Sequence, residues 1–477
     1  MIKIFQKNYL FLATGLIFLI SFFLYRSSFN YYFFQDDFFE INISKAETFG
    51  QYLNFFKFRA DIIAYRPISL QNYFFISSKI FGLEPTGFRL ITFILFFSSA
   101  ILIIKVIKKI TGDVWVGLLT AFFWLTSSIH FMAITWIAAT YNIIGTFFWL
   151  LTSFFFLNFL AKQKPAFYLL TIISFLVTIG SFEFSITWPI IFGLYYFFVL
   201  NKSLAKVLKV FSPFIVVSFI YLILRFFLIK IPPIIEYQTV FNIESFKAFV
   251  WYGLWTLNIP DEFKKQVVNN FLVFNGKFLL DYWQLVVKTF VGAVWTVVLG
   301  FFLPAFYIIK QKIPINLKLV VFSLVWYCLG VAPVLILPNH TFPMYLTLAS
   351  IGFYLFLAYF LILSRKRLFI VLILPIWLIT SFVTLDFYKS NYWMIEAQRF
   401  AKEFTFDIKK EYPSFPKNTI VFFPHPDKRH VQALSEENAI KAIYNDQSLS
   451  IYYNKKDLVQ GLKEKAFQRP ISVFLHQ

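Results

Sequence analysis

Two adjacent carboxylates, Asp36 and Asp37, lie in an aromatic segment that runs from Phe33 to Glu40. Adjacent carboxylates raise each other's pKa, which suits a general base, and carboxylate oxygens are also preferred ligands of Mg²⁺ and Mn²⁺. The alternative is a solvated loop whose aromatic side chains lie at a membrane interface, and the spacing does not separate the two interpretations. Asp36 and Asp37 are therefore candidates for a catalytic base, or for the ligands of a divalent metal ion.

The tripeptide Tyr65-Arg66-Pro67 holds a cation where the backbone is restricted. Proline limits the conformation of the residue before it and can begin a helix, which we expect over residues 68–81. A guanidinium group held there could bind a phosphate or carboxylate group through two hydrogen bonds. The alternative is an interfacial arginine whose side chain extends to lipid headgroups.

Glu183 is the only acid between Asp113 and Glu236. A carboxylate at or near membrane depth is costly unless it has a partner or a function, so we predict a functional role for Glu183. Arg225, near the end of a later apolar segment, is more typical of a structural arginine or of one that extends to the headgroups.

Two histidines also lie at the ends of apolar segments, His130 and His340. A lone histidine among apolar residues, such as His130, is more often a hydrogen-bonded structural residue than a catalyst. His340, in the segment 339–346, could donate a hydrogen bond to an anionic group.

The segments that must position these residues are apolar. Of the 477 residues, 59% are hydrophobic and 14% are charged, whereas soluble domains carry about 25% charged residues. The single cysteine excludes a disulfide scaffold. The net charge of +20 comes mostly from basic clusters between apolar runs, which is typical of a membrane protein with many spans and argues against a nucleic-acid partner.

A helix needs about 20 mostly apolar residues to cross the hydrocarbon core. This criterion predicts about eleven transmembrane helices, the first of them a retained signal anchor. If the spans alternate, the basic clusters all fall on one side, which places the N-terminus in the cytoplasm and the C-terminus outside. The predicted spans cover residues 8–25, 88–107, 114–130, 139–161, 166–181, 184–200, 210–229, 284–309, 317–337, 343–363 and 368–385.

The predicted fold class is therefore an all-α polytopic membrane protein with large exterior loops and a small soluble α/β appendage at the C-terminus. The membrane domain covers residues 1–385 and includes exterior loops at 26–87 and 230–283. The appendage covers residues 386–477, where acids and prolines return. We expect the protein in the plasma membrane of a prokaryote.

The secondary structure of the appendage follows from short local patterns. The runs 419–423 and 471–475 are typical of strands, whereas 435–444 is more helical.

In this order and on this side of the membrane, the motifs resemble the GT-C class of glycosyltransferases. The resemblance covers most of residues 1–385 and is greatest to the protein O-mannosyltransferase superfamily, in particular to the membrane part of the transmembrane and tetratricopeptide-repeat O-mannosyltransferases. No tetratricopeptide repeats follow the membrane domain here. Four local matches carry the resemblance: Asp36-Asp37, Tyr65-Arg66-Pro67, His130 through Trp136 with Asn142, and Tyr345 with Ser350-Ile351-Gly352.

The resemblance implies transfer of a sugar from a polyprenyl-phosphate donor to an acceptor hydroxyl, with inversion at the anomeric carbon. The acceptor would be a protein, a glycan or a lipid. Asp36 or Asp37 would be the base, and Glu183 would orient the acceptor or assist the base. Some relatives use a divalent metal at the acidic motif. Contacts to the donor phosphate or to the substrate are expected from Arg66, His340, Arg89, His130, Tyr65 and Tyr345.

The sequence departs from the resemblance at two points. His340 stands where relatives often have arginine, and the Arg-x-Asp that often follows the motif tryptophan is absent after Trp136.

Other functions remain open. An O-antigen ligase or polymerase also acts on polyprenyl-linked sugars, but its key arginine and histidine residues usually lie in a late exterior loop, and the loop 230–283 contains no histidine. A transporter or flippase of lipid-linked sugars usually shows related halves or interrupted helices near the membrane midplane. A non-enzymatic homologue is the third alternative.

Overall fold

The computed structural model describes residues 2–59, 62–230, 233–268, 273–424, 427–464 and 471–473. Within these ranges, eight helices are long and apolar enough to cross a membrane. They are Asn8–Asn30, Pro85–Thr111, Ile137–Lys162, Leu204–Leu228, Gly276–Lys310, Leu317–Leu335, Pro343–Leu363 and Arg367–Asn391.

Three further apolar segments complete the pattern predicted from hydropathy. The helices Val114–Thr126 and Ser128–Thr135 form one pair that is bent by 51°. The helices Pro165–Ile179 and Glu183–Val199 are apolar but shorter than the other spans. Each of the eleven predicted positions thus holds an apolar helix, and eight or nine of these reach the length that the bilayer requires in the described part of the chain.

The helix boundaries follow from capping residues and from close helix contacts. The side chain of Asp113 accepts a hydrogen bond from the Trp115 amide at the start of Val114–Thr126, which satisfies one of the free N–H groups of the first turn. Gly352 allows the helices Leu317–Leu335 and Pro343–Leu363 to approach closely, because an added Cβ would lie 2.5 Å from the carbonyl oxygen of Ser323.

The predicted exterior loop 26–87 is largely helical. Its helix Asp36–Ile43, hereafter the acidic helix, carries both candidate aspartates in its first turn. The helix expected after Arg66 is confirmed as a π-helical turn, Pro67–Asn72, that continues into Tyr73–Phe81. Shorter helical turns in this loop are Arg26–Asn30, Phe49–Leu53 and Asn54–Phe56. The second predicted loop contains the helices Ile243–Thr256 and Glu262–Lys265.

The C-terminal region contains helices and a small sheet. The last apolar helix ends at Asn391 rather than at residue 385, and the next helix begins at Trp393. Residues 393–473 are hereafter the C-terminal unit. Its helices are Trp393–Glu411, Lys428–Ala433, Asn438–Tyr444 and Lys455–Glu464, and its strands are Ile420–Phe422, Ser450–Tyr452 and Ile471–Val473.

The three strands form a parallel sheet with Ile420–Phe422 in the centre. The two strands predicted at 419–423 and 471–475 are present as Ile420–Phe422 and Ile471–Val473. Residues 474 and 475 of the second prediction lie outside the described ranges.

The C-terminal unit packs directly on the acidic helix. The Gln35 amide donates a hydrogen bond to the carbonyl oxygen of Ala433, at 2.8 Å. Near the other end of the helix, Asn42 Nδ2 donates to the carbonyl oxygen of Asn438, also at 2.8 Å, and Asn42 Oδ1 accepts from Gln447 Nε2 at 2.9 Å. Both ends of the acidic helix are therefore attached to residues about 400 positions later in the chain.

Candidate active site

A cavity of about 550 Å³ lies between the first loop, the C-terminal unit and the ends of several apolar helices. Its walls contain aliphatic and aromatic side chains together with a small group of polar residues. A volume of this size is sufficient for a small ligand or for a sugar ring with its linkage. The charged or titratable side chains in its walls include Asp36, Glu40, Arg66, Glu183, Arg225 and His340.

The two adjacent aspartates have different surroundings. The Asp37 side chain is fully buried, and its two oxygens accept hydrogen bonds from the amides of Ala138, at 2.6 Å, and Phe34, at 3.1 Å. Asp36 is exposed and lines the cavity. Asp36 is thus placed to contact a substrate, whereas Asp37 joins two backbone segments.

The cavity also changes the acid strength of its carboxyl groups. Although the Asp36 side chain is exposed to the cavity, desolvation by the surrounding cavity walls raises the pKa of its carboxyl, and the charge of Arg66 partly opposes the shift. A higher pKa makes a carboxylate a stronger base, provided that it is still ionised at the working pH.

Glu40 is a second acid of the cavity, to which the sequence assigned no role. It lies four residues after Asp36 on the acidic helix, so both side chains can face the same wall. Glu40 is buried, and its Oε2 atom has no hydrogen-bond partner among the described residues. Burial raises the pKa of Glu40 to about 8, with a smaller contribution from the charge of Asp36. The spacing of four between Asp36 and Glu40 could have identified Glu40 only if a helix had been expected over these residues, and the sequence pattern predicted none there.

Arg66 and Glu183 form an ion pair at the cavity wall. The Nε atom of Arg66 lies 2.8 Å from Oε2 of Glu183, and Nη1 of Arg225 lies 3.8 Å from Oε1. The guanidinium carbon of Arg66 also lies 3.5 Å from the ring centre of Tyr141. One carboxylate therefore stands between two arginines, which gives this group a net positive charge.

The ion pair follows from the way the Tyr-Arg-Pro segment docks. Directly after Pro67, the amide of Ile68 donates to the carbonyl oxygen of Gly180 at 3.0 Å, which fixes the segment beside Glu183. Arg225, for which the sequence indicated only a structural or headgroup position, lines the same cavity.

His340 and Tyr345 also line the cavity, His340 just before and Tyr345 within the helix Pro343–Leu363. The His340 ring packs against Tyr237, with ring centres 4.8 Å apart, and its centre lies 6.1 Å from that of Tyr345. Burial and then the charge of Arg66 lower the pKa of His340 to about 4. The imidazole is therefore neutral near pH 7, so it can donate a hydrogen bond but carries no charge.

Arg89 does not lie in the cavity wall. Its side chain is fully buried and donates hydrogen bonds to the backbone carbonyl oxygens of Tyr31, Tyr32 and Thr135. The guanidinium group thus fixes the segment before the acidic helix against the bent helix pair. This position does not fit the predicted contact between Arg89 and a donor phosphate.

His130 and Tyr65 also lie outside the lining of this cavity. His130 is fully buried, with Nε2 2.8 Å from the carbonyl oxygen of Trp124. Tyr65 stacks on Phe58 with 4.0 Å between ring centres, and its hydroxyl donates to the carbonyl oxygen of Phe56. Neither position fits direct substrate contact in this cavity. His130 matches the structural alternative expected of a lone histidine among apolar residues.

The predicted metal ligands are only partly available. Both oxygens of Asp37 already accept backbone hydrogen bonds, which leaves this carboxylate poorly placed to bind a metal ion. The acids of this helix that line the cavity are Asp36 and Glu40. In the described ranges, no three His, Cys, Asp or Glu side chains are grouped closely enough to hold a metal ion. Two carboxylates fit Mg²⁺ when substrate phosphate oxygens and water complete its shell.

Comparison with solved structures identifies the fold. The chain is similar to the crystal structure of the apo oligosaccharyltransferase from Archaeoglobus fulgidus, with a TM-score of 0.50 and 14% sequence identity. The match covers 95% of this chain and 65% of that chain. The chain has a GT-C fold. It spans about two thirds of the length of the archaeal enzyme, since the match covers 65% of it.

The GT-C fold confirms the predicted class of helical membrane protein. A second match, to apo ArnT from Cupriavidus metallidurans, covers 98% of this chain and 90% of that chain at 10% identity, but its TM-score of 0.39 is too low to support an argument. No profile of a known protein family matches the sequence, and no curated protein matches it. The closer likeness to O-mannosyltransferases stays a prediction.

Proposed function

We propose that the protein is a membrane glycosyltransferase that transfers a sugar from a polyprenyl-phosphate donor to an acceptor hydroxyl. The observation that carries this proposal is the placement of Asp36 and Arg66 in the wall of one cavity. A carboxylate of raised pKa can accept the proton of a hydroxyl nucleophile, and a guanidinium group can stabilise a phosphate leaving group. The GT-C fold supports the same function.

Asp36 is the proposed general base. It is exposed to the cavity, whereas Asp37 uses both oxygens for backbone amides. The base removes the proton as the acceptor oxygen attacks the anomeric carbon, and the bond from that carbon to the phosphate oxygen breaks. Attack opposite the leaving group inverts the anomeric configuration.

Arg66 is the proposed partner of the leaving phosphate. Glu183 neutralises only one of the two arginines that contact it, so one positive charge remains for an anion. A phosphate leaving group has a low pKa and needs charge stabilisation rather than a proton. His340 would add a neutral hydrogen bond.

The donor lipid would lie against the apolar part of the lining, which includes Val334, Leu337 and Met344. A divalent cation, if the reaction uses one, would be held by Asp36 and Glu40 and would add charge stabilisation at the phosphate. The predicted site is the exterior face of a prokaryotic plasma membrane. The acceptor is a hydroxyl group of a protein, a glycan or a lipid.

The test is sugar transfer by the purified protein in lipid, with a panel of radiolabelled polyprenyl-phosphate sugars. We expect Asp36→Asn to abolish donor consumption in a folded protein. Consumption that persists in this variant would exclude Asp36 as the base and would favour the ligase alternative. Donor binding without consumption by the wild type would favour a transporter.

A further inference from the structure

Two tryptophans line the same cavity as Asp36. Trp136 follows the bent helix pair, and Trp393 is the first residue of the first helix in the C-terminal unit. Both indoles are partly exposed. By contrast, the tryptophans of the helix bundle such as Trp124, Trp149 and Trp188 are fully buried in the core. The exposure of Trp136 and Trp393 into the cavity therefore distinguishes them from tryptophans that only fill the core.

These indoles form a braced surface with Phe34, hereafter the aromatic wall (Phe34, Trp136 and Trp393). The ring of Phe34 stacks on Trp136, with centres 5.6 Å apart and 29° between the planes. Trp393 meets Trp136 edge to face, with centres 5.9 Å apart and 83° between the planes. It meets Phe34 similarly, at 6.0 Å and 76°. Offset stacked and edge-to-face contacts are the favoured geometries of aromatic rings, so each ring restricts the rotation of the others.

Asp37 fixes the aromatic wall relative to Asp36. One carboxylate oxygen of Asp37 accepts a hydrogen bond from the amide of Phe34. The other accepts a hydrogen bond from the amide of Ala138, two residues after Trp136. Asp36 is adjacent in sequence to Asp37. The base and two rings of the wall are thus joined through one buried side chain.

The wall has the chemistry that a sugar ring requires. A pyranose presents apolar C–H groups on its faces and hydroxyl groups around its edge. A rigid indole face buries the C–H groups at a low cost in conformational entropy, and the polar groups of the cavity remain available to the hydroxyls.

We propose that the aromatic wall binds a hexopyranose ring next to Asp36. This inference rests on the proposed function for the identity of the reaction, but binding itself can be tested without turnover. The ring would belong either to the lipid-linked donor or to a sugar-bearing acceptor, and the experiment separates these sources.

The probes are polyprenyl-phosphate mannose, polyprenyl-phosphate glucose, polyprenyl phosphate without a sugar, and free methyl mannoside and methyl glucoside as acceptor analogues. Dissociation constants are measured for the wild type, Trp393→Ala, Trp393→Phe and Trp136→Phe in lipid. The matched control is Trp115→Ala, because Trp115 is 40% exposed on an apolar helix and is not part of the cavity wall. Thermal unfolding shows that each variant is folded.

If the wall binds the donor sugar, Trp393→Ala should weaken binding of a sugar-bearing lipid about tenfold and leave the sugar-free lipid unchanged, with partial recovery in Trp393→Phe. If it binds the acceptor sugar, the same loss should appear only with a free glycoside. Equal binding of all probes by the wild type and a folded Trp393→Ala would overturn the inference.

Failure of the aromatic-wall inference and failure of the proposed function give different results. Loss of sugar-dependent binding in Trp393→Ala, without turnover in any protein, would retain the wall and reject the transferase. Turnover and binding that are unchanged in Trp393→Ala would reject the wall alone.

Discussion

The Nε atom of Arg66 lies 2.8 Å from Oε2 of Glu183, although the two residues are 117 positions apart in the chain. A carboxylate in an apolar stretch is costly unless it has a partner, and the contact with Arg66 explains why Glu183 is tolerated there. Because Arg225 also contacts Glu183, the carboxylate orients one guanidinium group without cancelling all of the positive charge. The pair therefore combines a fixed geometry with a net charge that suits an anion.

Replacing Glu183 should affect the orientation of Arg66 more than its charge. In Glu183→Gln we expect kcat to fall about 100-fold, because small displacements of a catalytic group have effects of that size. Donor binding should be retained, since both arginines remain charged. Arg66→Lys should lower kcat as well, because an ammonium group cannot form two parallel hydrogen bonds with a phosphate. Steady-state kinetics together with donor binding measure both effects, and an unchanged kcat in Glu183→Gln would contradict the orienting role.

The two aspartates should separate into a catalytic and a structural residue. Asp36→Asn should lower the rate of transfer by about 10² to 10⁴ with little change in the melting temperature, because Asp36 is exposed to the cavity. Asp37→Asn should lower the stability by about 1–3 kcal/mol, because the new amide group places a donor against a backbone N–H. Transfer assays and thermal unfolding of both variants test this assignment, and the reverse pattern would refute it.

Glu40 should make the stability depend on pH. Burial raises its pKa from 4.5 to about 8, so the folded state retains a proton that the unfolded state loses as the pH rises. Stability from this group is therefore fully present below about pH 4.5 and is lost progressively up to about pH 8. In Glu40→Gln this part of the pH dependence should disappear.

Melting temperatures across this pH range provide the measurement for Glu40. The matched control is Glu47→Gln, the same change at an exposed site, which should keep the wild-type slope. Parallel curves for all three proteins would show that Glu40 does not retain the proton.

His340 should act as a neutral hydrogen-bond donor. Its pKa is lowered to about 4, so His340→Gln, which also donates a hydrogen bond without a charge, should bind the donor within about threefold of the wild type. His340→Phe should bind it about tenfold more weakly, the value of one hydrogen bond. Donor titrations near pH 7 compare the variants, and a large loss in His340→Gln would indicate a charged imidazole instead.

The C-terminal unit should support the acidic helix. Asn42→Ala removes hydrogen bonds to Asn438 and Gln447, and we expect a loss of about 1–3 kcal/mol in stability and a lower kcat. Lys45→Ala is the control, because its hydrogen bond to Asn445 is exposed and should contribute little. Unfolding and transfer assays on both variants provide the comparison. A normal kcat in Asn42→Ala would show that the acidic helix keeps its position without this contact.

The sequence alone was sufficient to predict a helical membrane protein and the positions of its apolar helices. Every predicted span has an apolar helix at its position, because hydropathy is a local property and the bilayer demands a fixed length of apolar chain. The helix after Arg66 and the strand at 420–422 were also predictable, since proline and short apolar runs act through local backbone preferences. The order of weak motifs was sufficient to predict the GT-C fold.

Only the tertiary structure decided the composition of the candidate site. Asp36 and Asp37 have the same chemistry and adjacent positions. They differ because backbone amides 3 and 101 residues away donate hydrogen bonds to the carboxylate of Asp37. Arg89 and His130 have the residue types of a phosphate site, yet both contact backbone carbonyl oxygens, Arg89 that of Thr135, 46 residues later, and His130 that of Trp124, six residues earlier. Trp393 packs edge to face against Phe34, which lies more than 350 residues earlier in the chain. Contacts of this kind depend on how helices pack in three dimensions, and no local pattern in the chain records them.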